Sequence, residues 1–200
     1  MKVSKERAAE HRAAIIAAAA RLFRERGFDG VGVAEITRAA GLTHGGFYGH
    51  FASKDALAVE AFDAAFARSV KRVTARAAPG GGGLPRYLES YLSLAHRDAP
   101  QEGCPMAAVA TQVDQQDAKV QQGFTTGIEA YIAAFESLLP QNGAKNHTSR
   151  RARAMLMVSA LVGGMALARA VARSDASLSQ EILEGVHAQL LALAEAETSA

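Results

Sequence analysis

Cysteine, proline and tryptophan are almost absent from this 200-residue chain, which holds one Cys, five Pro and no Trp. A single cysteine, Cys104, excludes an internal disulfide framework and fits a reducing compartment such as the cytoplasm. Scarce proline together with abundant alanine favours helix almost throughout. No segment alternates with period two over a useful length, so no sheet is expected. No apolar run approaches the ~20 residues needed to span a membrane. The polar start, MKVSKERAAEHRAA, has no signal-peptide core. No internal repeat is visible. At 49% hydrophobic and 21% charged, the composition is that of a soluble globular protein.

Metal and phosphate chemistry are also thinly supplied. The six histidines (His11, His44, His50, His96, His147, His187) show no paired ligand spacing. Glu184 and His187 form one Glu-x-x-His, whereas a di-iron bundle needs two plus further glutamates. A bundle metalloenzyme is therefore the weaker alternative class, and no enzyme activity, metal or cofactor is expected. Gly80 to Gly83 lacks the following Gly-Lys-Ser/Thr of a phosphate loop and reads as a linker after Pro79.

What the chain does have is unevenly placed. Residues 1–76 hold 13 Lys/Arg against 8 Asp/Glu, a balance of +5, and residues 77–200 hold 9 against 12, a balance of −3. A basic head on a mildly acidic body suits a nucleic-acid reader joined to a domain that binds something else.

Helical periodicity gives about nine helices. The first runs over Lys5–Arg26 with Ile15, Ala19, Leu22 and Phe23 as its apolar stripe, stopped by Gly27. The second covers Val33 to Ala40 and is broken at Gly41-Leu42. Thr43 then caps a short third helix from about His44 to Phe51, and Ser53 caps a long fourth from Lys54 to Ala77. Further helices are expected at Leu84–Arg97, from Pro105, at Gln115–Leu139, at Thr148–Arg173, and at Ser179–Glu197 with Ser177 or Ser179 as cap. Gln141 to His147 reads as a polar loop.

Two short helices joined by a glycine turn outline a helix-turn-helix, whose second helix enters the DNA major groove. Residues 31–57, VGVAEITRAAGLTHGGFYGHFASKDAL, carry more than that outline. The Ala-Gly turn, the Thr cap, the small residues and then Tyr48-x-His50-Phe51-x-Ser53-Lys54-Asp55-x-Leu57 resemble the N-terminal domain of the TetR family of bacterial repressors. The resemblance implies an all-α protein: a three-helix DNA-binding domain at residues 1–53, then an effector-binding and dimerisation domain at 54–200.

Phe47 and Phe51 should point inward against Ile36, Leu22 and Phe23, while Gly45, Gly46 and Gly49 allow close approach to DNA. The resemblance places Tyr48, His50 and Lys54 on phosphates and Thr43 and His44 toward the groove. His44 is the candidate for base readout, and Arg38 for a guanine or a phosphate. Two family contacts are missing, since Gly32 stands where a Ser/Thr cap is common and Ala34 where a polar residue is common. Specificity should then lean partly on DNA shape.

For the body, the resemblance implies a homodimer formed through the last two helices. Leu161, Gly164, Met165, Val186 and Leu190 are the interface candidates, with Gly163-Gly164 permitting a close crossing. It also implies a small-molecule pocket with Phe62, Phe66, Tyr87, Tyr91, Met106, Phe124, Tyr131 and Phe135 as candidate lining, alongside Val109. Cys104, at the start of the helix beginning near Pro105, is a candidate pocket residue and a possible site of modification. The cluster Arg150, Arg151 and Arg153 reads as a solvated face. The expected protein is a cytoplasmic, ligand-responsive repressor on a palindromic operator. Release comes from a small molecule, or alternatively from modification of Cys104. Induction is expected to pass through the long fourth helix. A DNA-architectural protein without an effector is the other reading.

Overall fold

The computed structural model describes residues 5–43, 46–139 and 147–196. Among these residues the chain forms nine α-helices and no strand: α1 Lys5–Arg26, α2 Val33–Ala39, α3 Lys54–Ala77, α4 Gly83–Tyr91, α5 Leu94–Asp98, α6 Pro105–Val109, α7 Ala118–Glu136, α8 His147–Val171 and α9 Ala176–Ala196. Short 3-10 turns at Pro100–Glu102 and Ala110–Gln115 flank α6. The expected all-α architecture is what the chain adopts, and α1 and α3 have the expected bounds.

The head is α1, α2 and the segment leading to α3. The buried face of α1, including Ile15, Ala19, Leu22 and Phe23, packs on Ile36, Phe47, Phe51 and the first turns of α3. Helix α2 ends in a Schellman motif. Gly41 takes φ +73°, the Leu42 amide donates to the Thr37 carbonyl (2.8 Å) and the Gly41 amide to that of Arg38 (3.0 Å). A β-carbon is strained at that φ, which explains the glycine of the turn. Helix α3 opens as expected, with the Ser53 hydroxyl accepting from the Ala56 amide at 3.0 Å.

Helix α3 continues into the body, where α7 lies along it. The two approach closely because Gly127 presents no side chain; a β-carbon there would fall inside the Phe66 ring. Helix α8 packs on α7, and α9 packs on α8 and α4.

Several boundaries differ from the sequence reading. The helix expected over Leu84–Arg97 is two, because Ser93 caps α5 by accepting from the His96 amide (3.1 Å). Helix α6 is a single turn that tightens into 3-10 geometry at Ala110. Helix α7 begins later than expected, where Asp117 accepts from the Lys119 amide (2.8 Å). Helix α9 begins earlier, where Asp175 accepts from the Leu178 amide (2.9 Å). Ser179 is no cap. It is buried inside α9, where its hydroxyl donates to Ala168 O (2.7 Å) and accepts from Arg97 (3.0 Å). Of the polar loop expected over 141–147, residues 141–146 lie outside the described residues, and His147 begins α8.

By length and composition Arg150–Val171 could cross a membrane, with a mean hydropathy of 1.8, which corrects the expectation that no such segment exists. Its apolar residues face two ways. Ala154, Met157, Leu161, Met165 and Ala168 are buried, while Met155, Leu156 and Leu167 are exposed.

Candidate DNA-binding face, effector cavity and dimer face

The DNA-binding candidates are held by the aromatic pair Phe47 and Phe51, both buried with ring centroids 5.7 Å apart. Arg12 lies over the Phe51 ring (4.8 Å) and pairs with Glu60 of α3 (2.5 Å), so α1, this segment and α3 are tied together. The expected short helix is reduced, among its described residues, to a run of turns. Gly46 donates to Thr43 O (3.0 Å), His50 to Phe47 O (2.8 Å) and Phe51 to Phe47 O (3.0 Å). Each glycine lowers helix propensity by about 1 kcal/mol, so the segment depends on its aromatic anchors.

Tyr48 is 64% exposed beside buried Phe47, and Arg38 and Thr43 are exposed too. His50 is half-buried, its ring 6.4 Å from that of His11. His44 and Gly45 lie outside the described residues.

Lys54 is placed differently from the other phosphate candidates. Its ammonium donates to Phe28 O (2.6 Å) and sits 4.1 Å from the Phe28 ring centre. Partial burial lowers its pKa, against the fields of Asp29 and Asp55. In this arrangement Lys54 fixes the loop between α1 and α2.

The body encloses a cavity of about 160 Å³. Its walls are Ser69 and Arg72 of α3, Tyr87, Ser90 and Tyr91 of α4, Ala95 and His96 of α5, then Ala99, Glu102, Cys104 and Tyr131 of α7. Of the residues expected there, Tyr87, Tyr91, Cys104 and Tyr131 line it. Phe62 and Phe66 each pack edge-on against Phe124, at 5.5 and 5.0 Å, in the solid core beside it. Phe135 backs Tyr87 and Tyr131 from behind, and Met106 and Val109 are buried away from it. The polar wall was not anticipated. One signal for it exists: Ser69 interrupts the apolar stripe of α3 between Phe66 and Val73 and is nonetheless buried.

Burial raises the pKa of Tyr87, and raises those of Tyr91 and Tyr131 well above the usual phenol value, so all three stay neutral. The Tyr87 and Tyr131 hydroxyls bond each other, while the buried Tyr91 hydroxyl meets no nitrogen or oxygen partner among the described residues and lies beside the Cys104 thiol. His96 donates from Nδ1 to Tyr91 O (2.6 Å) and accepts the Cys104 amide at Nε2 (3.2 Å), which fixes its tautomer. Burial brings its pKa down to about 4, outweighing the hydrogen bond to Tyr91 O. Cys104 is 2% exposed and precedes a one-turn helix, too short for the dipole on which the sequence argument for a reactive thiol rested.

The interface candidates face inward. Leu161, Met165 and Leu190 are buried within the subunit. A β-carbon at Gly164 would lie 3.0 Å from Val186 of α9, so this close crossing is within one chain. At Gly163 a β-carbon would meet nothing within 4 Å. The outer face of α8 therefore runs through Leu156, Gly163 and Leu167. Arg151 is tied to Glu129 (2.6 Å), and Arg150 and Arg151 both approach buried Glu136 (3.7 and 3.6 Å), so this cluster clamps α8 to α7 as well as meeting solvent.

Head and body touch at more than α3, contrary to the expected single route. Arg24 of α1 donates from Nε to Gln101 O (2.9 Å), and Gln112 accepts the Phe28 amide (2.9 Å).

A head of short helices with exposed polar groups is thus carried on a helical body that holds a cavity. Residues 15–61 match the family described as bacterial regulatory proteins, tetR family. The match covers the head, where it describes the DNA-binding part of such regulators. It is 26% identical to the transcriptional repressor NemR of Escherichia coli over 137 residues, 66% of this chain and 68% of that protein. It is 23% identical to the transcriptional regulator LmrA of Bacillus subtilis over 173 residues, 84% and 91% of the two chains. The crystal structure of reduced E. coli NemR superposes with a TM-score of 0.72 at 24% identity, over 90% of this chain and 94% of that one.

Proposed function

We propose that the protein is a cytoplasmic, ligand-responsive repressor that binds a palindromic operator as a homodimer and is released by a small molecule held in the body. Residues 1–53 are the DNA-binding unit and 54–200 the effector and dimerisation unit. The observation that carries the effector half is the cavity. Its volume is close to the roughly 150 Å³ that admits a benzene-sized molecule, and its Tyr91 hydroxyl, beside only the weakly accepting Cys104 thiol, offers a hydrogen bond to an acceptor on the ligand. For the dimer, the support is an exposed apolar stripe on α8: Met155, Leu156 and Leu167 lie in the open, joined by Leu178 at the start of α9. Arg38, Thr43, His44, Tyr48 and His50 contact DNA, with Gly45 and Gly46 allowing close approach.

A second route to release, modification of Cys104, has one observation in its favour. The thiol lines the cavity, so a reagent small enough to enter would reach it.

Selection of bound sequences from random DNA tests the reading. The enriched site should be an inverted repeat with half-site centres about 34–36 Å apart, or a multiple of that. No enrichment, or a site without two-fold symmetry, refutes the dimeric repressor. With the operator in hand, a small-molecule screen for release tests the effector half, and Tyr91→Phe should weaken response to any hit without changing DNA binding.

A further inference from the structure

A second concavity, of about 570 Å³, lies where the head meets the body. Its walls come from the C-terminal part of α1 (Arg24, Glu25), from Arg97, Asp98 and Pro100, from α6, and from the end of α8 (Arg169, Arg173). Four arginines therefore face two carboxylates. Both carboxylates are engaged: Asp98 takes both arms of the Arg97 guanidinium within the groove (2.7 and 3.1 Å), and Glu25 pairs with Arg21 outside it (3.3 Å), which leaves Arg24, Arg169 and Arg173.

Arg24 and Arg169 share an arrangement. Arg24 is 4% exposed and gives Nε and Nη2 to the Gln101 carbonyl. Arg169 gives Nε to the Arg97 carbonyl (3.1 Å) and Nη2 to the His96 carbonyl (2.8 Å). Each thus grips the segment 96–101 by its backbone. In each, Nη1 is buried and meets no acceptor among the described residues. Carbonyl oxygens carry only partial charge, so neither buried Arg24 nor half-buried Arg169 has a hydrogen-bonded anion among the described residues, although Arg24 lies in the field of Glu102. Burial and the neighbouring Arg68 bring the pKa of Arg24 down to about 10, as expected of a cation without a hydrogen-bonded carboxylate.

A guanidinium is a planar fork whose geometry matches a carboxylate or phosphate group. We infer that this groove is an oxyanion-binding site, distinct from the central cavity. It takes the carboxylate or phosphate of a small metabolite on Nη1 of Arg24 and Arg169, with Arg173 at its exposed rim. The bound group would join α1 of the head to α8 of the body across the segment that also walls the cavity. The site stands whether or not the central cavity binds an effector.

The test uses the full-length protein and two probes, inorganic phosphate and citrate, titrated against thermal unfolding at constant ionic strength with sodium chloride as the reference. Either probe, at millimolar concentration, should raise Tm above the chloride reference, since a ligand bound only by the folded state stabilises it. A shift with phosphate alone assigns a phosphate monoester, one with citrate alone a carboxylate, and one with both a general oxyanion site. Arg169→Gln should abolish the shift. Arg173→Gln, at the exposed rim, should leave the fold intact and weaken the apparent affinity roughly threefold, as for an exposed charge pair. Arg38→Gln, on the DNA face, should leave the shift unchanged. If Arg169→Gln does not fold, the Arg173 and Arg38 variants decide the matter. The site is refuted if neither probe exceeds chloride, if Arg173→Gln titrates like the parent, or if Arg38→Gln removes the shift.

Discussion

The head turns its polar groups outward and the body turns them inward. In the head, Phe47 and Phe51 are buried so that Tyr48, between them in sequence, stands in solvent. In the body, Tyr87, Tyr91 and Tyr131 have almost no exposure and direct their chemistry at one another and at a cavity. The same residue class serves opposite ends because the partners differ. A duplex is met at a surface, and its phosphates want exposed donors. A small molecule is met in a hollow, where a few polar groups on an apolar wall fix its orientation.

The contrast breaks most readily at its anchors. Phe47→Ala removes a ring with no exposure from beneath a segment that has only turn hydrogen bonds to hold it. The expected loss is about 3–5 kcal/mol, read as a fall in the denaturant midpoint together with loss of operator binding. An unchanged midpoint would mean that the segment is held by something other than its aromatics.

The body's inward polarity should show as a pH dependence. His96 titrates near 6.5 when unfolded and is pulled down to about 4 when folded, with burial the leading cause. The unfolded chain therefore binds the proton more tightly. The full stability is present above about pH 6.5 and is lost as pH falls from there toward 4. At about 1.4 kcal/mol per pKa unit, the loss is at most about 3 kcal/mol. His96→Gln keeps a donor and an acceptor without the titration, so its stability should be flatter across that window. Parallel curves for the two proteins would move the acid sensitivity to other groups.

Where α3 and α7 cross, Gly127→Ala should drive a methyl into the Phe66 ring and cost about 1–3 kcal/mol. The same substitution at Gly123, where a β-carbon would lie 3.4 Å from Val59, should be much milder. Equal effects at the two glycines would mean that the helices can slide apart freely.

These crossings show why the two regions differ in legibility. The head's determinants lie within residues 31–57, a stretch whose spacing could be read directly as turn, cap and anchor. The cavity draws on α3, α4, α5, the turn at Pro100–Glu102 and α7, and no local spacing records that Ser69, Arg72, His96 and Glu102 meet. The aromatics of the body were visible, but helical spacing does not distinguish a ring that lines a hollow from one that fills the core, so Phe62, Phe66 and Phe124 were grouped with Tyr87 and Tyr131. Nor does the sequence reveal which face of α8 points outward, since both are apolar. Lys54 illustrates the same limit within the head. Its position in the motif was clear, but its contact with the Phe28 carbonyl comes from the path of the loop between α1 and α2.

The two glycines of α8 separate the subunit from its assembly. Gly164 is used up inside the chain, against Val186, whereas Gly163 opens onto the outer face. Gly163→Leu should leave the subunit folded and raise the dimer dissociation constant at least about tenfold, or roughly 1.4 kcal/mol. Sedimentation across a concentration series reads this directly. Unaltered association would place the dimer contact elsewhere than the outer face of α8.

The smallest effect belongs to the start of α2. Gly32 is its N-cap, at φ −92° and ψ 156°, with no side-chain cap and with nothing within 4 Å of where a β-carbon would stand. That backbone is already the extended geometry of a capping residue, so serine fits without strain. Gly32→Ser should add the missing acceptor for an amide of the first turn and gain a few tenths of a kcal/mol, the usual difference between a serine and a glycine cap. The gain in stability is small, but Gly32 is exposed and stands where relatives commonly carry a Ser or Thr, so the hydroxyl would also supply a donor for a phosphate. Operator affinity should therefore rise by more than stability alone, and equally across related operator sequences, because a phosphate contact carries no base information. If affinity changes for one sequence and not its relatives, residue 32 lies over a base edge, and the placement of α2 above the backbone is wrong.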